Sequence, residues 1–266
     1  MKKMIRRLMG DQGYLDTFGY VSDLYQSLFL QIREEGTHLV HHFVAEGDTV
    51  FDVGANIGRF TSLAAKLVGK QGRVHSFEPL AYPRGVCARA VRLKGLSQVT
   101  VVDAALSDRE GAAEIIIPLR DGWKPKTALA HLGDWNDGPG PSRSEQVILQ
   151  TMDSYCEKNG VKRLGFVKCD VEGAEMAVFA GGAKTLERFK PTLYCEVDPG
   201  LCERHGTEFT GVFRLLGDMG YRAWLPDDRD AFFVVDPAAL DEKKREYFFV
   251  HEERRAGFPC LDGQPD

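Results

Sequence analysis

From residue 48 to residue 216 the chain alternates short apolar runs with stretches in which apolar residues recur three and four positions apart. The runs at 48–53, 73–77, 99–103, 164–170 and 192–197 read as strands. Phe60, Leu63, Ala64 and Leu67 mark one face of a helix after the first run, and Phe209, Val212, Phe213 and Leu216 mark another after the fifth. Such alternation predicts an α/β fold, doubly wound, with parallel strands joined by right-handed crossovers. Three further strands are expected from Tyr221-Arg222-Ala223-Trp224, Ala231-Phe232-Phe233-Val234-Val235 and Tyr247-Phe248-Phe249-Val250. Residues 1–47 hold amphipathic material, with Val21, Leu24, Tyr25 and Leu28 expected to pack across the top of the sheet as a helical cap. No repeat or shift of composition divides the chain, so residues 1–266 read as a single domain.

One stretch breaks the pattern. Residues 118–146 carry Trp123, Trp135, several prolines and glycines, and the charged Arg120, Asp121, Lys124, Lys126 and Asp134. A loop of this length in a compact domain is either functional or structurally idle. It reads as a flap whose tryptophans face an acceptor ring, or as a surface insertion that they staple to the body.

The chemistry begins where the first strand ends. Val50-Phe51-Asp52-Val53-Gly54-Ala55-Asn56-Ile57-Gly58 runs an apolar strand into a glycine turn, and the next strand ends in Glu78, twenty positions after Gly58. This places a glycine loop beside a carboxylate at the carboxyl edge of a parallel sheet, where open α/β folds bind nucleosides. A dinucleotide fingerprint starting at Gly54 needs glycine at 56 and 59, which hold Asn56 and Arg59. Asp52 would repel a phosphate but suits a ligand bearing an amino acid or a cation. S-adenosylmethionine (SAM) fits: Asp52 and the loop amides face its methionine part, and Glu78 accepts from both ribose hydroxyls.

At this point the sequence resembles the FkbM family of SAM-dependent methyltransferases. The family pattern is met by Asp52-Val53-Gly54-Ala55-Asn56-Ile57-Gly58, by Phe77-Glu78-Pro79, and by Ala105-Leu106-Ser107-Asp108 with Gly111. It continues in Lys168-Cys169-Asp170-Val171-Glu172-Gly173-Ala174-Glu175 and in Pro191-Thr192-Leu193-Tyr194-Cys195-Glu196, covering about residues 48–200. Cys169 stands where the family usually has an aliphatic residue, and a buried free cysteine behaves as a small apolar side chain. The resemblance implies a mostly parallel, seven-stranded Rossmann-like methyltransferase sheet, with one C-terminal strand inserted antiparallel beside the fifth. It also implies SAM as cofactor and O-methylation of a small molecule, sugar or glycan. Gly54, Ala55, Asn56, Gly58, Phe60, Glu78 and Pro79 become cofactor contacts, as do Asp52 and Asp170. Asp103, Ala104 and Ala105 follow the third strand, where this fold holds adenine.

Removing a proton from an acceptor hydroxyl needs a base at the carboxyl ends of the fourth and fifth strands. Asp170 and Glu196 occupy those tips and could converge. They read as a general-base pair with one shifted pKa, or alternatively as oxygen ligands of a divalent metal. Lys168 points to the same face as Asp170 and either pairs with it or reaches the sheet edge as a structural ion pair. Glu172 and Glu175 open the next helix, where its dipole favours acids; Glu175 reads as a cap, and Glu172 as a cap or a catalytic group. His205 is the nearest histidine that could serve as base, with a solvated loop position as the bland reading. His41 and His42 read as surface residues of the cap.

Composition trims the alternatives. A net charge of -5 argues against a general nucleic-acid surface. Six cysteines without a C-x-x-C pair read as reduced thiols, and Lys2, Lys3, Arg6 and Arg7 lead into no apolar signal core. No run approaches a membrane span. The expectation is a cytoplasmic enzyme acting on a small-molecule or carbohydrate acceptor. An N- or C-methyltransferase of the same fold, or a non-catalytic SAM- or nucleotide-binding module, are the rival readings.

Overall fold

The structure is a computed structural model that describes residues 19–29, 36–120, 124–125, 131–132, 141–227, 229–237, 240 and 245–261. Its centre is a sheet of β1 (Thr49–Val53), β2 (Arg73–Phe77), β3 (Val99–Val102), β9 (Phe166–Cys169), β10 (Thr192–Glu196), β11 (Tyr221–Pro226), β12 (Phe232–Val234) and β13 (Glu246–His251). The order across it is β12-β11-β13-β10-β9-β1-β2-β3. The five strands from β10 to β3 are parallel, and β13 inserts antiparallel between β10 and β11. Every residue of β1 is buried, as a central strand covered on both faces requires.

The described strands of this sheet number eight rather than the seven expected. The addition is β12, which pairs antiparallel with the outer edge of β11. Phe232 secures it, packing its ring against Phe43 and Phe248. Alternate residues of the strands divide between two cores. Phe51, Val53, Val167, Leu193 and Phe249 share one with α4 (Met152–Lys158), α5 (Glu175–Ala180), α6 (Ala183–Phe189) and α8 (Phe209–Asp218). Val50, Phe166, Tyr194 and Phe248 share the other with α2 (Arg59–Val68), which buries Phe60, Ala64, Ala65 and Val68 along one stripe.

The interruption after β3 is a second sheet. A long hairpin of β5 (Gly111–Arg120) and β8 (Ser142–Gln150) is extended by β4 (Ala105–Leu106), β6 (Lys124–Pro125) and β7 (His131–Leu132). Leu80, Ile115, Ile117, Val147 and Leu149 form its own small core. Both ends of the expected 118–146 loop are therefore strand, and Trp123 and Trp135 lie outside the described residues.

The N-terminal material is helical over residues 19–29 (α1), with a 3-10 turn at Thr37–His42 that buries Leu39 and Val40. Its expected apolar face is turned the wrong way: Val21 is 58% and Tyr25 55% exposed, while Leu24 and Leu28 are half-buried. Polar contacts orient the helix instead. The Tyr82 hydroxyl donates to Asp23 Oδ2 at 2.7 Å, and Lys94 Nζ donates to the Ser27 carbonyl at 2.7 Å. Tyr82 belongs to α3 (Ala81–Leu93), and Lys94 caps the end of that helix.

Candidate active site

The strand order reverses between β1 and β9, and ligands of open α/β sheets bind in the crevice at such a point. A cavity of about 520 Å³ opens there, lined by the β1 loop, the ends of β2, β9 and β10, and α1. Small-molecule sites typically span roughly 300–1,000 Å³.

The β1 loop is shaped by glycine at two positions. Gly54 has φ 80°, and a Cβ there would meet the Asp170 carbonyl oxygen at 1.9 Å. Gly58 has φ 81° as the cap of α2, and its Cβ would meet Cys87 Sγ at 2.6 Å. Three of the loop amides are already committed. Gly54 and Ala55 donate to the Phe77 carbonyl at 3.1 and 3.0 Å, and Asn56 donates to Glu78 Oε2 at 2.8 Å. A phosphate would need those donors; here they tie the loop to the end of β2.

Glu78 is nearly enclosed, at 6% exposure, and its other oxygen accepts from the Leu80 amide at 3.0 Å. Burial pushes its carboxyl up to about 7, against the pull of those two amides. Ala104, Ala105, Leu106 and Ile115 give the cavity an apolar wall beyond Glu78, while Pro79, Ala55, Asn56 and Phe60 also line it.

Asp170 and Glu196 converge as expected. Lys168 Nζ donates to Asp170 Oδ2 at 2.7 Å, and a further hydrogen bond links the two carboxyls. Burial would raise Asp170, but the Lys168 charge and hydrogen bond, with the bond from Glu196, hold it below the usual carboxylate range. Glu196 moves the other way, to about 8, through burial and the neighbouring Asp170, Glu172 and Glu246 charges. Glu172 also faces the cavity and is pushed up to about 8 by burial and the charges of Asp170 and Glu175. It holds a left-handed φ of 56°, a rare backbone for a residue with a Cβ. Glu175 is the cap: Oε1 accepts from the amides of Val171 and Gly173 at 3.2 and 3.1 Å.

Four of the expected site residues lie off the cavity. Asp52 does not line the cavity; strand alternation turns it under α2, where the Thr61 hydroxyl lies 2.6 Å from Oδ2. Asp103 is exposed and ion-paired with Arg84 at 2.8 Å, so only its neighbours Ala104 and Ala105 reach the cavity. His205 caps the end of α7 (Pro199–Arg204) and packs behind the Gly173 turn, away from the cavity lining. Gly58 likewise shapes the loop without lining the cavity. The acids also fit a metal poorly. The ammonium of Lys168 already occupies the cation position on Asp170, and the described residues contain no group of three or more His, Cys, Asp or Glu arranged to hold an ion.

Asp23 and Gln26 of α1, Arg59 of α2 and Glu246 of β13 line the cavity without having been singled out as contacts. Asp23 and Gln26 sit three apart on the polar face of α1, a spacing that could have been read as one helix face. Glu246 opens the last apolar run, but only pairing with β10 brings it to the site.

The sheet order, the glycine turn after β1, the carboxylate just past β2 and the acids past β9 and at the end of β10 define an open, doubly wound α/β protein with its site at the switch point. The sequence profile of the methyltransferase FkbM domain matches residues 52–223. The chain belongs to the FkbM methyltransferase family. It is 32% identical over 180 residues to the 31-O-demethyl-FK506 methyltransferase FkbM of Streptomyces tacrolimicus, covering 59% of this chain and 68% of that protein. It is 28% identical over 154 residues to the 2-O-methyltransferase NoeI of Sinorhizobium fredii, covering 52% and 59% respectively. Among solved structures it is similar to an FkbM methyltransferase of Methylobacillus flagellatus, with a TM-score of 0.48 and 14% identity over 85% of this chain and 48% of that one.

Proposed function

We propose that this protein transfers the methyl group of SAM to a hydroxyl oxygen of a small molecule, sugar or glycan. The observation that carries the reading is the placement of Glu78 and the Asp170–Glu196 pair in one cavity at the switch point of the sheet. The cavity suits SAM in three respects. Glu78 offers a carboxylate at the end of β2, Ala104, Ala105, Leu106 and Ile115 offer an apolar wall, and the loop amides are spent on Phe77 and Glu78 rather than aimed at phosphate. When bound, SAM supplies an electrophilic methyl carbon on a sulfonium.

The rest falls to the protein. Glu78 accepts the ribose hydroxyls, and the strand tips hold the acceptor oxygen in line, an ordering that can contribute about 7–11 kcal/mol. Glu196, in its ionised form, takes the acceptor's proton. Asp170 is kept ionised by Lys168 and then receives the hydrogen bond of the protonated Glu196, which makes Glu196 the stronger proton acceptor. An acceptor hydroxyl rather than an amine is favoured because this dyad has a high proton affinity, and because both named relatives are O-methyltransferases by description. We place the activity in the cytoplasm: all six cysteines are free, five of them buried, and no helix among the described residues is long and apolar enough to cross a membrane.

Calorimetry with SAM and NAD, followed by labelled methyl transfer to a panel of hydroxylated and amine acceptors, tests the reading. SAM binding with transfer to a hydroxyl is expected. NAD binding of similar strength, or transfer to amines alone, would overturn it.

A further inference from the structure

Four of the six large apolar residues that stand exposed among the described residues lie in one helical layer of the molecule. Val21, Tyr25 and Phe29 recur every four positions along α1 and share its outer face, and Leu93 ends α3. The inner face of α1 is already occupied: Asp23 and Gln26 line the cavity, and Ser27 is buried. Lys94 Nζ ties α1 to α2, donating to the Ser27 carbonyl at 2.7 Å and to Ser62 Oγ at 2.9 Å. α3 joins the layer through Tyr82, which binds Asp23, and through Cys87, which lies against Gly58 at the start of α2.

This layer is also where the chain concentrates positive charge. Residues 53–102 hold eight lysines and arginines against one acid, Glu78, in a protein of net charge -5. Glu78 is buried, so it does not offset them at the surface. Lys66 of α2 and Arg89 and Arg92 of α3 are exposed and make no ion pair among the described residues. Lys66 lies one turn beyond Ser62, and Arg89 one turn before Leu93, so bases stand beside exposed apolar groups on one surface.

We propose that the outer face of α1, with the adjoining surfaces of α2 and α3, docks this protein on an anionic membrane surface as a peripheral contact. Apolar groups on such a face enter the boundary between headgroups and acyl chains, while the bases beside them meet lipid phosphates. A second copy of the chain fits worse, because a two-fold contact through this face would set the same bases against each other. A nucleic acid would use the bases but leave the aliphatic Val21 and Leu93 without a role. Because the inner face of α1 lines the cavity, docking holds the cavity at the lipid surface.

The test is co-sedimentation of the full-length protein with vesicles of phosphatidylcholine alone or with phosphatidylglycerol added. Binding is expected on the anionic vesicles, little on the neutral ones, and release as salt is raised. Tyr25→Ser with Phe29→Ser, and separately Arg89→Glu with Arg92→Glu, should each weaken binding to anionic vesicles about tenfold. Lys184→Glu with Arg188→Glu makes the same charge change on exposed residues of α6, in the other helical layer. That variant should bind within about twofold of wild type, since charges beyond a Debye length are screened. The Tm of each variant reports that it is folded. No binding to anionic vesicles, equal binding to neutral ones, or an equal loss in the α6 variant overturns the proposal. Single-stranded RNA bound as tightly as the vesicles, and indifferent to Tyr25→Ser with Phe29→Ser, would make the face a nucleic-acid surface and overturn it too. So would a dimer that those two substitutions dissociate.

Discussion

A Cβ on Gly54 would sit 1.9 Å from the carbonyl oxygen of Asp170, so the loop after the first strand and the tip of the fourth parallel strand touch backbone to backbone. The contact joins the cofactor loop to the acid pair and leaves no room for a side chain. Gly54→Ala must therefore shift one of the two segments as well as force alanine into a left-handed φ, which alone costs roughly 1–2 kcal/mol. A lower Tm and at least a tenfold loss of SAM affinity are expected. Gly95 serves as control, with φ 63° but open space around it. Gly95→Ala should lose about 1 kcal/mol of stability and keep SAM affinity, as measured by thermal unfolding and calorimetry.

Glu78→Ala should weaken SAM and S-adenosylhomocysteine binding by about 1.5–3 kcal/mol, the usual range for a hydrogen bond to a charged group. It also removes the acceptor for the Asn56 and Leu80 amides, so a modest fall in Tm accompanies it. Because the free protein's Glu78 titrates near 7 and the ionised form is the better acceptor, SAM affinity should rise as pH climbs from 6 to 8. Calorimetry across that range checks both, and Glu78→Gln should flatten the slope.

Asp170→Asn and Glu196→Gln should keep SAM affinity near normal and lower turnover by about 10²- to 10⁴-fold, the usual contribution of a positioned base. In wild type, turnover should increase as pH rises through about 8, where Glu196 becomes ionised. Since Lys168 holds the cation position on Asp170, a chelator should leave turnover unchanged. Loss of activity on chelation, restored by magnesium or calcium, would show the two acids to be metal ligands.

The buried acids also set the pH dependence of stability. Glu78 and Glu175 titrate near 7 and Glu172 and Glu196 near 8, all above the ordinary 4.5 of an unfolded chain. Between about 4.5 and 8 the folded protein binds more protons than the unfolded one, so its stability falls as pH rises through that window. The Tm of the ligand-free protein should drop between pH 5.5 and 8.5, and Glu172→Gln should reduce the drop. A flat or rising Tm contradicts the assignment.

Which parts of this protein are legible in its sequence follows from how local each feature is. The β1 strand, the Gly54–Gly58 turn, the α2 helix and the position of Glu78 just past β2 are legible because each depends on periodicity and turn chemistry within a few dozen residues. The convergence of Asp170 and Glu196 was legible too, since parallel neighbours in an α/β sheet end side by side. Orientation was another matter. Asp52 and Asp103 flank the right segments, yet strand alternation turned one under a helix, and an ion pair to Arg84 took the other. The stripe of Val21 and Tyr25 has a clear helical period, but a period does not say which face is covered, and hydrogen bonds from Tyr82 and Lys94 decided that the polar face turns inward. Glu246 was beyond reach for the same reason. Sequence determined the five parallel strands and their tips, whereas only antiparallel pairing of β13 with β10, across 50 residues of chain, could set Glu246 opposite Glu196.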